Sequence, residues 1–271
     1  MFSYYLQERS YYYANDEDVK SHILAMNKIV SSSDNYDHFL MSDGFDGAIY
    51  NRWITIGSFL NSTNVPKSIT NKIWPSIKKR CKIVHGKYMT FNDMNKDCYR
   101  TSNAFLGPKF YRPYLGLIMN FDQYVEFRAI MAIRKVEGNN FGKSCEVLLK
   151  NIVVTKDAMD MVKPLGQNVK TIFAQLIEFE DYIRDSWTTG SFSIEHVKEH
   201  TKLDISDESE SVKKDPQYNY HRYFKTPGVG SFYCFIHIKK GDLRFHIHVD
   251  NKNKRIYVPY IGPHLPTKKY Q

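Results

Sequence analysis

Between Ser231 and Leu265 the chain reads SFYCFIHIKKGDLRFHIHVDNKNKRIYVPYIGPHL, a pattern that an antiparallel meander fits best. Three runs alternate at a period of two, separated by turn chemistry at Gly241-Asp242 and over residues 251–254. A two-residue turn at Gly241 and Asp242 sets Lys240 across from Leu243. Ile238 then faces Phe245, Ile236 faces Ile247 and Cys234 faces Val249, gathering the apolar side chains on one side. On the other side Lys239 meets Arg244, His237 meets His246, Phe235 meets His248 and Tyr233 meets Asp250. A slip of one residue would scramble both sides, so the agreement supports this register. The loop at 251–254 pairs Asp250 with Arg255 and brings Tyr257 beside His248. One side of the predicted sheet is greasy, and the other carries histidine, arginine, lysine and tyrosine.

Charge is spread unevenly. The chain has 38 Lys and Arg against 29 Asp and Glu, a net charge of +9. Residues 211–271 contain twelve of those bases and only three acids, so they account for the whole excess, and they hold five of the ten histidines. So localised a basic field suits an anionic partner, nucleic acid above all. Cleavage of RNA without metal needs a base for the 2′-hydroxyl, an acid for the leaving oxygen, and cations around the phosphorane. His237, His246 and His248 can supply the first two near neutral pH, and Lys239 and Arg244 the third. RNA is therefore expected ahead of DNA, with Lys239, Lys240, Arg255, Tyr257, Lys268 and Lys269 as contacts. A metal at the histidines would lack a carboxylate except Asp250 at the edge, and the surrounding cations would repel it. No metal and no other cofactor is expected.

Gly262-Pro263 stops the third strand and Pro266 keeps the following residues irregular, which holds His264, Lys268 and Lys269 at the end of the sheet. A basic meander followed by an imidazole and lysines resembles the end of RelE-like toxins and related small ribonuclease folds, over residues 217–271. The resemblance implies metal-independent endoribonuclease chemistry by His237, His246, His248, Arg244 and His264. The same stretch resembles terminal modules of bacterial anti-phage proteins, which implies a toxin or antiviral-defence setting. The alternative, from another class, is a non-catalytic nucleic-acid-binding or interaction subunit of a defence complex.

The rest reads as a mainly helical, aromatic-rich body over residues 1–203, suited to a protein partner or antitoxin. Helices are predicted over Asp16–Ser31, Pro66–Val84 with an interruption near Pro75, Asp122–Arg134, Gln167–Trp187 and Ser193–His200. Residues 48–60 and 147–154 read equally as helix or strand. Residues 204–216, DISDESESVKKDP, are acidic and serine-rich, and are expected to be an exposed linker. The predicted class is α+β: helical body, linker, then a basic β-module at 217–271. Arg80 and His85 have the R-x4-H spacing of HEPN ribonucleases, although Cys81 and Gly86 depart from that motif. No P-loop, G-x-G-x-x-G, G-x-S-x-G or H-E-x-x-H is present. Cys81, Cys98, Cys145 and Cys234 are scattered, no run of 18 apolar residues occurs, and the N-terminus lacks a secretory pattern. A cytoplasmic protein with free thiols and no membrane span is expected.

Overall fold

The computed structural model describes residues 2–33, 37–85, 103–110, 116–166, 168–226, 228 and 230–267. The fold is α+β, with helices through the N-terminal part and an antiparallel meander at the C-terminal end. Two compact units comprise residues 1–131 and 132–271, and the boundary falls inside helix Phe121–Lys135. Among the described residues no helix is long and apolar enough to cross a membrane.

The first unit is built on short strands that sequence periodicity does not announce. They are β1 (Ser3–Leu6), β2 (His38–Ser42), β3 (Ile49–Tyr50), β4 (Ile54–Thr55), β5 (Cys81–Val84), β6 (Asn103–Leu106) and β7 (Leu117–Ile118). Five of them form a sheet in the order β5-β2-β1-β6-β7, with every pair parallel. Four of the five have four residues or fewer and β2 has five, too short for a period to show. Tyr4, Phe39, Tyr124 and Phe127 pack in the core beside Val19, Ile23, Met26 and Ile29 of helix Asp16–Ser32. Asn15 caps that helix through a reciprocal pair of hydrogen bonds with Asp18. The interruption expected near Pro75 is a π turn at Ile69–Ile73 leading into helix Trp74–Arg80.

The second unit contains β8 (Ile152–Val154), β9 (Asp204–Ser206), β10 (Tyr223–Thr226), β11 (Gly230–Tyr233), β12 (Ile236–Lys240), β13 (Leu243–Asp250) and β14 (Arg255–Pro263). Its sheet runs β8-β14-β13-β12-β9, antiparallel except for the parallel pair β8–β14. The predicted pairing of β12 with β13 is present from Lys240↔Leu243 to Ile236↔Ile247. Gly241 turns with φ +57, and Asp242 stays at negative φ, the pattern of a type II′ hairpin. Asp250↔Arg255 and His248↔Tyr257 also pair as expected, with a register shift between His246 and His248. Ile238, Phe245, Ile247, Ile256, Val258 and Ile261 are buried. Helix Asn168–Asp185 adds Val169, Ile172, Phe173, Leu176 and Ile183 at helical spacing. Its buried Glu180 accepts hydrogen bonds from the amides of Lys150, Asn151 and Ile152, which fixes the start of β8.

Three expectations are corrected by this arrangement. The acidic stretch 204–216 is no exposed linker, and the basic module does not begin at 217. Residues 204–206 form β9 on the edge of the main sheet, and Leu203, Ile205 and Val212 are buried anchors in an otherwise polar sequence. The pairing of Tyr233, Cys234 and Phe235 with β13 is replaced as well. The chain breaks pairing at 234–235, and Tyr233 pairs with Tyr223 in a separate β10–β11 hairpin.

Candidate functional site

That hairpin decides what the histidine side of the sheet can do. Its residues alternate: Phe224 and Phe232, a cross-strand pair, point one way, and Tyr223, Lys225 and Tyr233 the other. The Phe224 ring lies 6.0 Å from His246 and 5.7 Å from Tyr260, and Phe232 stacks on His248 at 3.7 Å. The polar side of the meander is therefore covered, with His237 only 5% and His246 1% exposed.

Beneath the cover lies a buried polar network. Arg222 is fully buried, and its Nε donates to Glu208 at 2.9 Å. Its Nη atoms donate to the carbonyls of Tyr218, Pro266 and Leu265. Glu208 also lies 3.9 Å from Nδ1 of His237. His237 faces His246, with rings 5.3 Å apart, and Nδ1 of His246 donates to the Cys234 carbonyl at 2.8 Å. Burial pushes the His246 imidazole down to about 3, and burial likewise lowers His237 despite the nearby Glu208 carboxylate. Burial thus favours the neutral form of both rings.

Among the described residues one group brings three metal-capable side chains together: Glu208, His237 and His246, with ligand atoms within 4.8 Å of one another. The Arg222 guanidinium already occupies Glu208 and places a fixed positive charge beside the two imidazoles. The donor set therefore reads as a buried ion pair with neutral histidines rather than a cation site.

The other predicted residues lie around this network. His248 is half-buried beneath Phe232, and burial lowers its pKa. His264 is half-buried, and its Nδ1 is 2.6 Å from the Leu265 carbonyl. Tyr257 is buried at 8% exposure beside His248, with rings 6.2 Å apart, so it offers no open surface. Lys239 is half-buried and sits between Asp204 of β9 and Arg244 of β13 in the register. Arg244 folds back on the turn carbonyls of Gly241 and Leu243. Lys240 and Arg255 are exposed. Lys268 and Lys269 lie outside the described residues. In the first unit Arg80 ends a helix, while His85 follows β5 and pairs with Asp43 at 2.7 Å.

The outward side of the hairpin holds residues that sequence reasoning passed over. Tyr223 and Tyr233 are about half exposed, at 51% and 50%, with ring centroids 4.8 Å apart. Tyr233 stacks on Phe235 at 5.4 Å, and Lys213 Nζ lies 5.9 Å over that ring. Tyr220, 59% exposed, stacks on His221. Lys225 is exposed between Tyr223 and the turn. The signal was present in the alternation Tyr223, Lys225 and Ser231, Tyr233, broken by a turn rich in proline and glycine. Comparison with protein families, curated proteins and solved structures finds no match for this chain.

Proposed function

We propose that the C-terminal unit binds single-stranded nucleic acid, RNA first, on the outward side of the β10–β11 hairpin. One observation carries this reading: the exposed pair Tyr223 and Tyr233, continued by the half-buried Phe235, within residues 211–271, whose twelve Lys and Arg stand against three acids. Successive bases stack on such rings while cations follow the backbone, and the combination tolerates any sequence because every base has a π face. The burial of His237 and His246 favours binding over cleavage. The setting in which it acts is a cytoplasmic toxin or defence-type assembly, with this protein as its nucleic-acid-binding member. Endoribonuclease action is the second reading. It requires the hairpin to lift, which would uncover His237, His246 and His248 on one side, with Phe224 and Phe232 as the side chains to clear.

Anisotropy with labelled single-stranded RNA and DNA tests the first reading. Tyr223→Ala with Tyr233→Ala is expected to weaken binding at least tenfold, since one stacked base contributes about 1–3 kcal/mol. The fold should persist, because both rings point outward. Unchanged affinity in the double variant would remove the hairpin as the binding surface.

A further inference from the structure

A second candidate site lies in residues 1–131, at the carboxyl end of the parallel sheet. From β1 the chain moves to β2 and then β5 on one side, and afterwards crosses to β6 and β7 on the other. In open parallel sheets a crevice forms where the direction of winding reverses, outside the carboxyl ends of the strands, and ligands bind there. In this sheet the reversal falls between β1 and β6, which pair in register from Ser3↔Asn103 to Leu6↔Leu106.

A cavity of about 570 Å³ sits there, within the usual size of small-molecule sites. Residues directly after β1, from Gln7 to Tyr13, form one wall, and Lys109 and Phe110 after β6 form the other, with Ala48 and Ile49 beside them. The two walls approach closely. Gln7 N–H donates to the Leu106 carbonyl at 2.8 Å, and a Cβ on Gly107 would collide with the Ser10 side chain and come within 2.9 Å of the Phe110 ring. Glycine is what allows the loops to meet at this point.

The lining combines three chemistries. Arg9 and Lys109 are exposed cations on opposite walls, and Lys109 lies at the long distance of 3.5 Å from Asp18. Tyr12 and Tyr13 set their rings edge to face at 4.6 Å, and Arg52 lies 5.7 Å over the Tyr13 ring. Glu8 is half-buried, takes a hydrogen bond from the Ser42 hydroxyl, and faces Asp43 after β2. Burial, and then the Asp43 charge, raise the Glu8 pKa, while His85 holds Asp43 ionised.

We propose that this crevice binds a nucleotide, with Arg9 and Lys109 on its phosphate, Tyr12 and Tyr13 against its base, and Glu8 on its ribose hydroxyls. Cations that clasp from two walls suit a compact anion, and a tyrosine face beside a tyrosine edge suits a flat ring. A carboxylate between them suits hydroxyl donors. A pyrophosphate held by backbone amides is a poorer match. The turn after β1 contains no glycine and runs into a short 3-10 helix, Glu8–Tyr11, so side chains must do what a glycine-rich loop would do elsewhere. The site is independent of the nucleic-acid surface proposed for residues 211–271.

Calorimetric titration of the full chain with AMP, GMP, UMP, CMP, ADP, adenosine and inorganic phosphate tests the assignment. At least one nucleotide is expected to bind with a micromolar Kd, with adenosine and phosphate each at least tenfold weaker. Arg9→Ala and Lys109→Ala should each weaken that nucleotide fivefold or more without moving Tm, because both side chains are exposed. Tyr223→Ala with Tyr233→Ala should leave the affinity unchanged. Failure of every nucleotide to bind below millimolar concentration would overturn the proposal. So would full affinity in the Arg9→Ala, Lys109→Ala double variant, or loss of binding in the hairpin variant.

Discussion

Phe232 lies flat on His248, with ring centroids 3.7 Å apart and planes 16° from parallel. This contact and the approach of Phe224 to His246 join the hairpin to the sheet. Removing the first ring should let water reach the imidazole. In Phe232→Ala the His248 pKa is expected to rise toward its ordinary value, because burial is what lowers it. A pH titration of the imidazole signals by NMR measures this. No change would mean that another group desolvates His248.

His246 should make the second unit acid-sensitive. Its folded pKa, about 3, lies well below the unfolded value near 6.5, so the folded state favours the neutral ring. Its contribution is complete above the unfolded pKa and disappears as the pH falls toward the folded one, because only the unfolded chain takes up the proton readily. Between pH 7 and pH 4 the loss should be roughly 2–4 kcal/mol. Urea titrations at the two pH values should show the loss in wild type and much less of it in His246→Gln. A parallel loss in the variant would assign the sensitivity elsewhere, with His22 of the first unit, lowered by burial to about 4, as the next group to test.

Arg222 should be among the costliest residues to change. Arg222→Ala would leave the Glu208 carboxylate buried without its cation and orphan three carbonyls, at about 3–5 kcal/mol. Arg222→Lys should recover only part of this, since an ammonium cannot reproduce a planar fork of donors. Thermal unfolding distinguishes the cases. Wild-type stability in Arg222→Ala would mean that the pair is structurally idle.

Binding to single-stranded RNA should weaken steeply with salt. Lys225→Glu should cost at least fivefold and flatten the salt slope, because this lysine is exposed beside Tyr223. Lys239→Glu with Arg244→Glu should cost less, since Lys239 is half-buried opposite Asp204 and Arg244 is held on its own turn. Equal salt slopes in wild type and Lys225→Glu would move the phosphate contacts to other cations.

The meander was legible because strict alternation and Gly241-Asp242 admit one register, and β12 with β13 follows it. The break at Cys234–Phe235 was not legible. Phe232 and Tyr233 alternate equally well with a partner upstream or downstream, so period alone cannot choose between β10 and β13. The long helices were readable from apolar spacing, as in Val169, Ile172, Phe173 and Leu176. The parallel sheet of the first unit was not, because strands such as SYYL and NAFL, four residues each, are too short to display a period. Its crevice was missed with it: Glu8, Arg9 and Lys109 are ordinary surface charges until the order of the strands places them together. The acidic stretch 204–216 misled for a related reason, since composition does not reveal that three apolar residues and one buried guanidinium pin it down.

β14 stands in the sheet between β8, which precedes it by about a hundred residues of chain, and β13. In synthesis β8 must therefore wait for its neighbour until Ile256–Val258 have been made, and the helices that follow β8 emerge long before then. Residues 1–131 face no such delay, as all five strands of their parallel sheet are made by Ile118. The nascent chain should thus carry a finished first unit and an open second one for several seconds at typical elongation rates of about 5–20 residues per second. During that interval the strand edges of β8 and β13 would depend on a chaperone, or on dilution, to avoid pairing with another chain.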